Sequence, residues 1–495
     1  MKNSKMAPFE ERFMLKPTAI FTALLLSACA SVGPDYKKPV IAPVTLNQVQ
    51  TSEVANGDFD ARWWTQFGDA TLNQLIAKSA GGNLDLQIAS ARIKAARAVI
   101  GETQSNQLPT VDVGASYTRT YEVQPSFTRH RVGVNQYRGG FDASWELDVF
   151  GGTRRAVESA RASAEAAVDD LHAAQVSVLG EVARNYFDLR GAQRRLQIAR
   201  DNLATQQETL KLTTVRRELG RGIDQDVASA AARVATTEAE IPSLEGAARI
   251  ASYRLAVLLG QRPGEIDVDL APPPETAPPL AAVLNIGNAT DFLERRPDVQ
   301  AAERRLAAAT ADIGVAVSDY YPHVQVGGFI GFFSGASADL GSLQSQAFSI
   351  APSITWTGLN VQRVHSRVVG RKAAAEAQLA DYQQTVLLAL EDTEAALAHF
   401  DEQRKRLVYL REQAQQSRKA ADYATVRYKE GATDFLTLLD TQRTALAADD
   451  LLAQGEAAIN TSAIAVYKAL GGGWQACGDL ACTALAQAAA PAATN

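Results

Sequence analysis

Two very long stretches of helix-forming residues limit the folds that this chain can adopt. They hold 67 Pro-free residues between Gly152 and Gly220 and 72 between Gly358 and Gly431, rich in Ala, Glu, Gln, Arg and Leu. At 1.5 Å per residue, each stretch would form a helix of roughly 100 Å. Helices of this length suit either a coiled-coil rod or a helical tube, and the rest of the chain has to decide between them.

The chain repeats one plan. Asp85 and Asp298 are 213 residues apart, and Gly220 and Gly431 are 211 apart, so the register of the two copies is almost constant. Each copy contains a helix, two strands, a very long helix, a break and a return helix. We therefore expect a signal peptide at 1–28, repeat 1 at 29–260, a Pro-rich linker at 261–296, repeat 2 at 297–473 and a partly disordered tail at 474–495.

Alternation of apolar and polar residues predicts two strands in each repeat. In residues 137–149 the odd positions are mostly apolar or aromatic, while the even positions include Arg138, Asp142 and Glu146. Four strands cannot close a membrane barrel alone, because single-chain barrels begin at about eight strands. The economical arrangement is one barrel shared by several chains, with the long helices forming a tube. The predicted strands cover about 110–124, 134–150, 322–334 and 346–357, the long helices about 152–219 and 359–430, and the return helices about 224–260 and 434–471.

The N-terminus predicts export. Basic residues precede the apolar run AIFTALLL, which stops at SACAS. The segment LSAC, ending at Cys29, resembles a lipobox, so we expect diacylglycerol and an acyl chain on Cys29 and no other cofactor. An ordinary signal peptidase site at Ala28 and Ala30 is the alternative. No later apolar run reaches 18 residues, so a membrane span would have to be made of strands.

Several functional classes find no support in the residues. The formal charge of −6 argues against a nucleic-acid partner. The five histidines have no metal-ligand spacing, and no P-loop or G-x-S-x-G elbow occurs, so we expect neither an enzyme nor a metal site. The segment LGGGW at 470–474 is interpreted as a helix terminus. Cys477 and Cys482 are either a local disulfide or two unpaired thiols.

Several motifs in order resemble one known family. VGPDYKKP, FDASWELDVFGGTRRAVESA, LERRPDVQAAERRL, TLLDTQR and YKALGGGW are similar to the lipoprotein outer-membrane factors of tripartite efflux pumps, the TolC-like channels of the NodT-type branch. The resemblance covers Cys29 to Trp474. It implies an α+β membrane protein, a homotrimer with a 12-stranded β-barrel, four strands per chain. A 12-helix periplasmic α-barrel with a mixed equatorial region would continue it.

The resemblance also implies partners and a function. A periplasmic adaptor protein and an inner-membrane RND-type transporter would supply recognition and energy. The channel would carry drugs or other small toxic solutes passively across the outer membrane, in contact with its lipid. A type I protein-secretion duct and a lipid-anchored coiled-coil scaffold are the alternatives.

The breaks after the long helices are interpreted as hairpin tips facing the periplasm. Gly220, Asp224 and Asp226 mark the first tip, and Gly431 and Asp434 mark the second. By resemblance, Leu436, Asp440 and Arg443 form the constriction that closes the resting channel. A solvated ion pair of Asp440 with Arg443 is the alternative. The first hairpin has Ser229 and Ala232 at the matching positions, so it lacks both charges.

Overall fold

The structure is a computed structural model that describes residues 31–40, 46, 54–55, 60–123, 131–271, 284–285 and 292–478. Several predictions lie outside these residues: the signal peptide, Cys29, half of the Pro-rich linker, Cys482 and the end of the tail. The side chain of Cys477 is also outside the described set, so the choice between a Cys477–Cys482 disulfide and two unpaired thiols lies outside the described residues.

Helices and strands follow the repeated plan in both halves of the chain. The first half contains β1 (Val54–Ala55), α1 (Ala70–Gly82), α2 (Leu84–Ser105), β2 (Thr110–Val123), β3 (Arg131–Leu147), α3 (Gly152–Glu218) and α4 (Asp224–Leu258). The second contains β4 (Leu284–Asn285), α5 (Phe292–Arg295), α6 (Pro297–Ser318), β5 (His323–Ser334), β6 (Gln346–Thr355), α7 (Val361–Lys429) and α8 (Phe435–Ala469). The short parallel pair β1 and β4 had no signal in the sequence.

The long helices α3 and α7 have 67 and 69 residues. Both end in basic side chains, which interact favourably with the negative end of the helix dipole. None of the helices in the described part of the chain has the length and apolar character needed to cross a membrane. The chain divides into two compact units. The first unit contains the large sheet, residues 31–39 and the first parts of α3 and α7, and the second contains the rest of both helical hairpins with their tips.

The large sheet has four antiparallel strands in the order β2-β3-β5-β6. The central pair joins the two repeats, since β3 pairs with β5 from Tyr137↔Ser334 to Leu147↔Val324. Among the described residues, β2 and β6 are the edge strands, and each pairs on one side only. The sheet therefore presents two rows of unpaired backbone groups.

One face of this sheet is apolar and exposed in the single chain. Val113 is 78% exposed, Phe348 81% and Ile350 76%. The opposite face is made mostly of Gly, Ala, Ser, Thr and acidic residues, with Asp112 opposite Asp142 in the register. The apolar face needs an apolar environment, because this much exposed apolar surface is unfavourable in water.

The end of β3 differs from the expected position. The predicted strand continued to residue 150, whereas β3 ends at Leu147. The cause is Asp148, whose carboxylate accepts hydrogen bonds from the backbone N–H groups of Thr153 (3.1 Å) and Arg154 (2.9 Å). Asp148 thus occupies the free donors at the start of α3 and ends the strand.

The N-terminal segment 31–36 is fastened to the first unit. The N–H of Val32 donates to the carbonyl of Phe150 (3.1 Å), just after β3. Arg155, on the first turn of α3, binds Asp35 at 2.6 Å. Gly33 has φ of 91°, and a Cβ on it would lie 2.4 Å from the Cα of Gly314. Only glycine fits this close approach.

The core of the second unit lies around Trp63 and Tyr467. The two rings stack with centroids 5.5 Å apart, and both side chains are fully buried. The segment 470–474 ends α8 as expected, with Gly471 at φ of 69°. The tail begins in a short 3-10 helix, Trp474–Gly478, which was not predicted. The indole of Trp474 donates to the carbonyl of Arg295 (3.2 Å) and so holds this helix in place.

Candidate functional site

Both hairpin tips are built by the same backbone motif. After α3, the N–H of Gly220 donates to Arg217 (3.0 Å) and that of Arg221 to Arg216 (2.8 Å). After α7, Gly431 donates to Tyr428 (3.0 Å) and Ala432 donates to Arg427 (2.8 Å). The two glycines have φ of 69° and 80°. This pattern is the Schellman motif, which requires a left-handed residue and ends the helix sharply.

The return helices start differently. Asp434 caps α8, because its carboxylate accepts from the N–H of Thr437 (2.7 Å) and from the Thr437 hydroxyl (3.1 Å). These hydrogen bonds, the backbone one first, hold the pKa of Asp434 below its ordinary value. The matching residue of the first hairpin is Ile223, which offers no side-chain cap. The first tip is fastened instead by an ion pair of Arg217 with Asp224 at 2.7 Å.

Asp226, the third residue predicted at the first tip, lies in the first turn of α4 beside Asp224. Its backbone N–H donates to the carbonyl of Ile223 at 3.1 Å. Two carboxylates in the first turn of a helix interact favourably with the positive end of the helix dipole. Their position therefore supports the start of α4.

A small apolar core joins the two hairpins near their tips. Tyr428, Phe435 and Leu438 are buried, with exposures of 5%, 3% and 2%, and they cluster with Ala230 of the first hairpin. The rings of Tyr428 and Phe435 lie 5.8 Å apart. Leucines of α3 pack against the outside of this cluster. The tips are therefore packed together by side chains from both repeats.

Polar contacts between the repeats were missed by the sequence reasoning. The guanidinium carbon of Arg216 lies 4.3 Å from the centre of the Tyr428 ring, and its Nη2 donates to the carbonyl of Lys429 (3.2 Å). The Gln442 amide donates to the Thr209 hydroxyl at 3.4 Å. The partners are more than 200 residues apart in sequence, so no local pattern signals them.

The gate residues predicted by resemblance lie on one exposed side of α8. The Nη2 of Arg443 and Oδ1 of Asp440 are 2.6 Å apart, with exposures of 64% and 65%. Leu436 is 58% exposed on the same side, whereas Phe435 and Leu438 point into the core. Within the described residues, the only ion pair of Asp440 is the one with Arg443, inside its own helix. The exposed stripe of Leu436, Asp440 and Arg443 therefore remains available to another molecule.

Farther along α8, two half-buried carboxylates bind arginines of other helices. Arg195 of α3 binds Asp450 through two hydrogen bonds of 2.6 and 3.1 Å. Arg418 of α7 binds Asp449 at 2.7 Å. Burial raises the pKa of Asp449, and Arg418 opposes this rise. These pairs fix α8 against its neighbours, and the two-point bond of Arg195 restricts orientation as well as position.

The hairpin tips offer charged side chains on closely packed helices. The described residues contain no group of three or more His, Cys, Asp or Glu side chains able to hold a metal ion. An exposed Asp and Arg on a firmly packed helix can bind ions, solutes or the same residues of another chain.

Comparison with known proteins identifies the family. The family model described as "Outer membrane efflux protein" matches residues 75–261 and 289–472. The chain belongs to the outer membrane efflux protein family. Each matched segment covers most of one repeat, and the gap between them, 262–288, falls in the Pro-rich linker. The protein is therefore an outer-membrane efflux channel that extends into the periplasm, as the motifs implied.

Individual relatives cover almost the whole chain. Nodulation protein T of Rhizobium leguminosarum bv. trifolii is 31% identical over 427 residues, which cover 86% of this chain and 90% of the relative. The pyoverdine export outer membrane protein OpmQ of Pseudomonas aeruginosa is 29% identical over 466 residues, covering 92% and 96%. The solved outer-membrane channel OprN is 44% identical, with a TM-score of 0.86 over 90% of this chain and all of OprN. The predicted family and fold class are confirmed.

Proposed function

We propose that three copies of this chain join their sheets edge to edge into one 12-stranded β-barrel in the outer membrane, four strands from each chain. The observation that carries the proposal is the four-stranded sheet with one exposed apolar face and two unpaired edges. In lipid, the unpaired backbone N–H and C=O groups of an edge strand need hydrogen-bond partners, because no water is present to bind them. The strands have 10 to 17 residues, enough to cross a bilayer when tilted.

The helical part would continue as a 12-helix α-barrel in the periplasm, four helical segments from each chain. A periplasmic adaptor protein and an inner-membrane RND-type transporter would complete a tripartite pump. The chain itself would act as a passive duct without catalysis. Small solutes are the proposed cargo, and the relative OpmQ, named for pyoverdine export, supports a small-molecule cargo over a polypeptide.

The hairpin tips would form the periplasmic gate. Around a threefold axis, the exposed stripes of Leu436, Asp440 and Arg443 would meet, and three carboxylates would form an acidic ring. Two observations support this assignment. Asp440 and Arg443 have no partner outside α8 among the described residues, and the helix that holds them is firmly packed by Phe435 and Leu438.

Cys29 would be lipidated and anchored in the outer membrane. The supporting observation is the docking of residues 31–36, which begins two positions after Cys29 and bonds to Phe150 just after β3. An acyl chain on Cys29 would then start close to the end of the membrane strands. Mass spectrometry of the N-terminal peptide tests this directly: the acyl mass should be absent from Cys29→Ser, and an unmodified wild-type cysteine would refute it.

Deletion of the gene, followed by a susceptibility panel of drugs and metal ions, tests the function. We expect increased susceptibility to several small compounds, restored by the wild-type chain. A protein-secretion defect with unchanged susceptibility to every compound would overturn the proposed cargo.

A further inference from the structure

The polar face of the large sheet has an unusual pair of aromatic residues. The register places Asp142 opposite Phe329 and Arg138 opposite Phe333, so both phenylalanines share the face of the acidic and small residues. At the level of Phe329, the neighbours across the sheet are Asp142 and Ser349. An aromatic side chain on such a face calls for a reason, because alternation would place it on the apolar side.

Phe329 lies flat on the sheet. Its ring lies over Gly140 and Gly331, which pair directly in the register. A Cβ on Gly140 would be 2.9 Å from the ring carbon Cε2, and one on Gly331 would be 3.0 Å from Cζ. The two glycines thus leave the space that the ring fills. The ring is held close to the backbone instead of projecting from the face.

Arg138 is held above this ring. Its guanidinium carbon is 4.1 Å from the centre of the Phe329 ring, and its Nη2 forms an ion pair with Asp142. The two contacts fix the planar group by a cation–π interaction and a charge-assisted hydrogen bond. The Arg138 side chain remains 37% exposed. Its charge is therefore held in position and is still reachable from the polar side.

Arg138 also differs in the sign of its charge from its charged neighbours on the polar face. Among strand residues whose side chains the structure describes, it is the one arginine or lysine on the polar face, alongside the acidic Asp112, Asp142 and Glu146. His323 faces Glu146 at 2.7 Å. Arg119, by contrast, lies on the apolar face, with its guanidinium 5.3 Å from the Tyr121 ring.

We propose that Arg138, held by Phe329 and Asp142, sets the charge selectivity of the conducting path. The proposal rests on the proposed function, in which the polar face lines the barrel. Without Arg138, the described strand residues of the polar face, which would line the barrel, would carry only acidic charge. Such a lining would favour cations. With Arg138 in place, the wall retains one fixed cation per chain, so that anionic and zwitterionic solutes also pass.

Ion selectivity in planar bilayers tests the proposal. The purified channel is reconstituted, and the reversal potential is measured across a KCl gradient. Arg138→Gln should raise the potassium-to-chloride permeability ratio by about twofold or more, as expected when a unit charge is lost within a Debye length of the ion. Asp142→Asn should shift the ratio the other way. Arg138→Lys, which keeps the charge, should stay near wild type and separates lost charge from disturbed folding.

Arg119→Gln is the matched control, because it removes the same charge from the opposite face. An unchanged ratio in Arg138→Gln, or an equal change in Arg119→Gln, would overturn the proposal. The reversal potential does not depend on how many channels are open, and every variant keeps the same gate residues, so a difference between variants cannot come from a changed gate. If wild-type protein formed no channels, the proposed function would fail instead, which distinguishes the two failures.

Discussion

Removing Asp440 and Arg443 together should open the channel while leaving the fold almost unchanged. Within one chain, the two residues form an i,i+3 pair with side-chain exposures of 65% and 64%. Exposed helix pairs of this kind contribute about 0.3–0.5 kcal/mol. The double substitution Asp440→Ala with Arg443→Ala should therefore change the free energy of unfolding by less than about 0.5 kcal/mol.

The effect on closure should be much larger. In the proposed trimer, each chain would contribute one contact between its stripe of Leu436, Asp440 and Arg443 and the stripe of a neighbouring chain. A hydrogen bond to a charged group contributes about 1.5 kcal/mol at the low end. Three such contacts total about 4.5 kcal/mol, and each 1.4 kcal/mol is a factor of ten. The equilibrium between open and closed states should therefore shift by about a thousandfold.

Single-channel conductance in planar bilayers measures this shift. The matched control is Arg217→Ala with Asp224→Ala, which removes an exposed ion pair of 2.7 Å from the tip of the other hairpin. We expect raised conductance in the Asp440 and Arg443 variant and low conductance in the control. Low conductance in both variants would refute the gate, and an equal rise in both would show that any weakened tip opens the channel.

Three further outcomes follow from the contacts described above. Leu438→Ala removes a buried side chain at a cost of about 2–3 kcal/mol, so amide exchange at the second hairpin should accelerate about 30-fold or more, whereas the exposed Leu436→Ala should change it little. Since the folded-state pKa of Asp434 is lowered, its carboxylate stabilises the hairpin above the unfolded pKa and loses this effect as pH falls through the folded pKa. The melting temperature of Asp434→Asn should accordingly lie below wild type at neutral pH and converge with it in acid; a pH-independent gap would contradict this. Gly33→Ala would place a Cβ 2.4 Å from the Cα of Gly314, so limited proteolysis should cleave the N-terminal segment faster, and unchanged cleavage would show that the segment tolerates displacement.

The sequence predicts those features that depend on local pattern. Alternation of side chains locates β2 at Thr110–Val123 against a predicted 110–124, and glycine at 220 and 431 locates both turns. Contacts between distant residues carry no such pattern. The stacking of Arg216 on Tyr428 joins residues from different repeats, and the Phe329 ring finds its place only through the register of β3 and β5. The end of β3 was missed for a similar reason, because Asp148 looks like a strand residue until its contacts with α3 are known.

The two edge strands of each chain have a genetic consequence. A chain with a damaged β2 or β6 edge would still offer one intact edge, and it would enter a trimer that cannot close. If half of the chains carried such damage and mixed at random, only about one trimer in eight would be free of it. A mutant allele of this kind would act dominantly beside a wild-type copy, whereas an allele that prevents folding altogether would leave the wild-type trimers intact.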